Sequence, residues 1–125
     1  MVKRSVEIRL HDIQTALDEA REILNDADFG AYQNSLATRR AIERCIEIIS
    51  EATRHIPDEM TAKYPLIPWQ EIRSIGIRLR HEYQRVDDLI IWRTARRSLP
   101  ELKIAIDGLI AGLAQAAQPK DSKSS

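Results

Sequence analysis

Residues 31–56 read AYQNSLATRRAIERCIEIISEATRHI, twenty-six positions without a proline or a glycine. Within them Ile42, Cys45, Ile46, Ile49, Ala52 and Ile56 recur by threes and fours, the spacing that lines one face of a 3.6-residue turn. Arg39, Arg40, Glu43, Glu47 and Glu51 take the opposite side. The pattern predicts a long amphipathic helix over about 34–55, capped by Asn34 or Ser35 and ended by Pro57. No alternation of period two competes with it.

The neighbouring stretches read the same way. Residues 1–29 also lack proline and glycine, and Ile8, Leu10, Ile13, Leu17, Ala20 and Leu24 predict a helix over about 5–25 with Ser5 as its cap. Residues 25–30 then read as a turn. After Pro57, a turn or two of helix is expected over 58–64. Pro65-Leu66-Ile67-Pro68 reads as an extended connection, because a residue before proline avoids the helical region. A third long helix opens near Pro68-Trp69, with Ile72, Ile75 and Leu79 on its apolar side. Gly76 falls inside it at a cost of about 1 kcal/mol against alanine, which points to close packing or close approach of a ligand. Asp87 caps a short helix holding Leu89 to Trp92; Ser98 caps the last one, with Pro100 in its first turn. The fold class is therefore all-α: an antiparallel four-helix bundle with short connecting helices. It forms a single domain over 1–117, followed by a disordered tail over 118–125.

Composition narrows the function. Of the 125 residues, 19 are Lys or Arg and 19 are Asp or Glu, so the formal charge is zero. That argues against binding nucleic acid by bulk charge. The single cysteine excludes an internal disulfide and a cysteine-built zinc site. No apolar run approaches the ~20 residues of a membrane span, and the N-terminus carries no signal-peptide core. A cytoplasmic location is expected.

The zero is a cancellation. Residues 1–30 carry a net −3, whereas residues 69–97 carry a net +3, with seven arginines and no lysine. Arginine forks match two phosphate oxygens at once. The same charges also suit a solvated face with pairs one turn apart. Inside this segment His81 follows Arg78 by three residues and precedes Arg85 by four. A histidine beside guanidiniums has the parts to move a proton while they hold a phosphate. It also has a plain reading as a surface residue. The three histidines lack metal-binding spacing, and Cys45 reads as core.

The ordered set Ile67-Pro68-Trp69-Gln70-Glu71-Ile72, Leu79-Arg80-His81-Glu82-Tyr83, Val86-Asp87, Ile91-Trp92 and Leu99-Pro100-Glu101-Leu102-Lys103 resembles the HepT-like branch of the HEPN superfamily over about residues 4–115. The resemblance implies a homodimeric, metal-independent endoribonuclease that acts on RNA, needs no cofactor, and serves as the toxin of a toxin–antitoxin pair. Its partner would be an MntA-like nucleotidyltransferase that adds AMP to a tyrosine. The tyrosine two residues after the motif histidine is Tyr83 here. His81 and Arg78 are the catalytic candidates, with Arg73, Arg80 and Arg85 as RNA or phosphate contacts. The family motif separates an arginine from the histidine by four to six residues, usually with a polar residue directly after the arginine. This chain has Gly76 five before His81 and Ile77 next, with Arg73 eight before and Arg78 three before.

Overall fold

A computed structural model describes the backbone of residues 2–82 and 86–116. The main helices are α1 (Val2–Leu24), α3 (Leu36–Thr53), α5 (Trp69–Glu82) and α7 (Leu99–Ala116). Short helices α2 (Phe29–Gln33), α4 (Asp58–Thr61) and α6 (Asp88–Arg93) connect them, and a π-helical turn (Thr94–Ser98) joins α6 to α7. All regular structure among the described residues is helical.

α1 packs against both α3 and α7, and α3 against both α1 and α5. The packed neighbours run antiparallel. Gln14 donates to Asp107 at 3.0 Å while Asp18 meets Lys103 at 3.5 Å, so numbers rise along α1 as they fall along α7. Ser50 lies beside Arg73, whereas Arg40 and Arg44 line a hollow with Leu79 and Arg80. The core takes Leu10, Ile13 and Leu17 from α1, Ile42, Ile46 and Ile49 from α3, and Leu102 and Ile106 from α7, all nearly sealed from solvent. Burial of such side chains contributes roughly 1.5–3 kcal/mol each. Cys45 is buried among them, and desolvation raises its thiol pKa, with Glu19 adding to the rise.

Several boundaries differ from the sequence expectation. α1 begins at Val2, so Ser5 lies inside it and is exposed, with no capping role. Ser35 is the cap of α3: its hydroxyl accepts from the Thr38 amide at 3.2 Å, whereas Asn34 closes α2. α2 itself was hidden by Gly30; Asp28 caps it, accepting from the Ala31 amide at 2.8 Å, and Tyr32 fills the core. Residues 65–68 turn instead of extending. The Ile67 amide donates to the Tyr64 carbonyl at 3.2 Å, and the Trp69 indole N–H donates to the same carbonyl at 3.0 Å. Asp87 caps α6 as expected, accepting from the Leu89 amide at 2.9 Å.

The last helix does not start afresh at Ser98. The chain runs from α6 through the π turn into α7 without a break, and Ser98 ends that turn. Tertiary ties hold the wide turn in place. Arg96 donates to the carbonyls of Asn25 and Ala27 and lies over the Trp92 ring at 5.8 Å. The Trp92 indole N–H donates to the Ala27 carbonyl at 3.3 Å. The expected tail over 118–125, with Tyr83 and Arg85, lies outside the described residues.

Candidate active site

α5 carries the described motif residues. Its buried side comprises Trp69, Ile72, Ile75, Gly76 and Leu79, packed on α3. Helical periodicity then places Gln70, Ser74, Ile77 and His81 on the opposite, solvent side. His81 sits exposed in the last turn of α5, with no hydrogen bond or ion pair among the described residues.

Gly76 is the point of closest approach between α5 and α3. A Cβ built there would collide with the Ser50 side chain. Ser50 is itself fixed, donating from its hydroxyl to the Arg73 carbonyl at 2.7 Å. The mid-helix glycine is therefore a packing residue, and its position has no room for an arginine.

The arginines of α5 divide by function. Arg73 points back over the end of α3, donating from Nε to the Thr53 carbonyl at 3.2 Å and from Nη2 to the Ile56 carbonyl at 3.5 Å. It adds a second hydrogen bond to the Thr53 carbonyl, which also accepts from the Ile56 amide at 3.2 Å, and places positive charge at the negative end of the α3 dipole. Arg80 meets Glu51 at 3.7 Å, alongside Arg54 and His55. The His55 hydrogen bond, with help from Arg54 and Arg80, holds the Glu51 carboxyl below its ordinary pKa.

Arg78 faces the other way. It lines a cleft between α5 and the α6–π segment, with no hydrogen-bond or ion-pair partner among the described residues. Residues three apart on a helix have Cβ atoms about 5–6 Å apart, so Arg78 and His81 are neighbours. Of the three described arginines proposed from sequence, Arg78 alone leaves its guanidinium uncommitted beside the histidine.

A profile of the family described as "Ribonuclease HepT-like" matches residues 13–109. The chain belongs to the HepT-like ribonuclease family. It is 35% identical over 113 residues to "Putative RNase MJ0125" of Methanocaldococcus jannaschii, covering 90% of this chain and 97% of the relative. It is 33% identical over 102 residues to "Probable ribonuclease HepT" of Thermococcus cleftensis, covering 82% and 93%. No solved structure matches the chain. Ribonuclease is thus the activity class at the level of the HepT-like family.

At Gly76, where the resemblance leads to the expectation of an arginine, Ser50 fills the space where a side chain would go. Among the described residues no three His, Cys, Asp or Glu side chains converge as a metal-ligand group, and no helix is long and apolar enough to cross a membrane. Sequence reasoning missed the cleft beside Arg78. Its α5 wall was visible as Gln70, Ser74 and Arg78 at intervals of four. Its other wall was not, because it depends on α6 and α7 being continuous.

Proposed function

We propose that this chain is an endoribonuclease in which His81 takes the proton of a ribose 2′-hydroxyl and Arg78 holds the adjacent phosphate. The 2′-oxygen then attacks phosphorus, the bond from phosphorus to the 5′-oxygen breaks, and that oxygen takes a proton from water. The products are a 2′,3′-cyclic phosphate and a 5′-hydroxyl end. The observation that carries the reading is the uncommitted Arg78 guanidinium one turn from an exposed His81. General-base catalysis supplies about 10²–10⁴-fold, and charge stabilisation at the phosphate a comparable factor. In a chelator, wild type cuts RNA and His81→Ala does not; equal cleavage by both removes His81 from the mechanism.

The reading extends to regulation. An MntA-like nucleotidyltransferase silences the toxin by transferring AMP from ATP to the Tyr83 phenol, releasing pyrophosphate. The order His81-Glu82-Tyr83 supports this. With an active partner and ATP, the mass rises by whole AMP units on Tyr83, and Tyr83→Phe gains nothing. A homodimer is supported by Ile77, an apolar side chain 42% exposed on the same face as His81. Ile77→Glu shifts the dimer to monomer in sedimentation. The closed Gly76 position favours a second reading, a non-catalytic dimer that binds RNA or the nucleotidyltransferase. Purified-protein cleavage abolished by His81→Ala rules it out.

A further inference from the structure

The cleft beside Arg78 encloses about 370 Å³, larger than a phosphate contact requires. Gln70, Glu71, Ser74 and Arg78 line it from α5; Thr94 and Ser98 line it from the π turn. None of the side chains of Gln70, Glu71, Ser74, Arg78 and Ser98 makes a hydrogen bond or ion pair among the described residues. The walls between these groups are apolar: Ile72 and Ile75 beneath, and Ile90 opposite, left 43% exposed. An apolar side chain exposed beside neutral hydrogen-bonding groups suits the face and edge of a planar heterocycle. The two charges have opposite signs and lie seven residues apart on α5. Seven residues span roughly 10 Å of helix, the scale of one nucleotide from phosphate to base edge.

We propose that this cleft holds one unstacked base of a single-stranded RNA, next to the phosphate on Arg78, and that Glu71 selects bases with an exocyclic amino group over uracil. The proposal rests on the ribonuclease reading of the same site. Unstacked bases are the part of RNA that a protein reads by its edges. A carboxylate accepts from the amino group of cytosine, adenine or guanine. Uracil offers one N–H between two carbonyl oxygens, which repel a carboxylate. Ile90 covers the base face, and the Ser74 and Ser98 hydroxyls serve its remaining edge.

The test uses oligonucleotides blocked by 2′-O-methylation except at one ribonucleotide, with the neighbouring base varied through A, C, G and U. Cleavage rate and binding anisotropy are both read. Wild type cuts and binds the uracil strand about tenfold more weakly than the others, the scale of one base-edge contact. Glu71→Gln, which donates as well as accepts, brings the four strands within about threefold. Equal rates for all four bases in wild type overturn the proposal, as does a uracil penalty that Glu71→Gln leaves intact. Binding that depends on base and on Glu71, without any cleavage, supports the base site and sinks the catalytic reading. Neither binding nor cleavage sinks both. If Ile90→Asp yields a monomer whose base preference is unchanged, the cleft is a seat for a second copy and the proposal fails.

Discussion

Gly76 of α5 and Ser50 of α3 occupy one point of contact: the serine side chain fills the space where a Cβ on residue 76 would lie, and its hydroxyl bonds the Arg73 carbonyl at 2.7 Å. The glycine's helix penalty of about 1 kcal/mol is offset by this close packing and hydrogen bond. Gly76→Ala should destabilise the fold by about 1–3 kcal/mol, despite alanine's better helix propensity. Adding Ser50→Gly should recover part of that loss in urea denaturation. A Gly76→Ala protein as stable as wild type contradicts the contact.

Arg73 and Arg78 separate stability from activity. Arg73→Ala strips two hydrogen bonds from the end of α3 and should lower stability by about 1–2 kcal/mol, while cleavage per folded molecule stays within about threefold. Arg78→Ala should leave thermal unfolding unchanged within about 0.5 kcal/mol and reduce cleavage about 10²–10³-fold. The reverse pattern would assign the phosphate to Arg73.

Cys45 should be inert in the native state. Burial raises its pKa, so the reactive thiolate is scarce. Modification by a thiol reagent should be slow in buffer and fast in denaturant. Rapid stoichiometric labelling of the folded protein would contradict its core position.

Asp107 should contribute stability that acid removes. Hydrogen bonds from Gln14 and Lys103 hold its carboxyl below the ordinary value. A depressed folded pKa gives stability present above the unfolded value near 4 and lost as pH falls through the folded one. The group is largely solvated, so the effect is under about 1 kcal/mol. Asp107→Asn should be slightly less stable than wild type at pH 7, with the gap closing as pH falls below the ordinary carboxylate range.

The four main helices were legible because each carries an apolar stripe of the right period, and side chains such as Ile42, Ile46 and Ile49 do line the core. Features that depend on distant contacts were not legible. The π turn is held by Arg96 reaching the carbonyls of Asn25 and Ala27, a contact about seventy positions away in sequence. Pro100 reads as a helix start by local rules, and only the tertiary ties show a continuous helix. The arginines of α5 look alike in sequence; their different tasks follow from what α3 and the π turn place opposite each.

The central claim is that His81 and Arg78 act together on a 2′-hydroxyl and its phosphate. The most direct measurement is the end chemistry of RNA cut in the presence of a chelator. The account predicts 2′,3′-cyclic phosphate and 5′-hydroxyl ends, no cut at a 2′-O-methylated position, and loss of cleavage in both His81→Ala and Arg78→Ala. Cleavage at a 2′-O-methylated position, or a 5′-phosphate product that survives both substitutions, would contradict it.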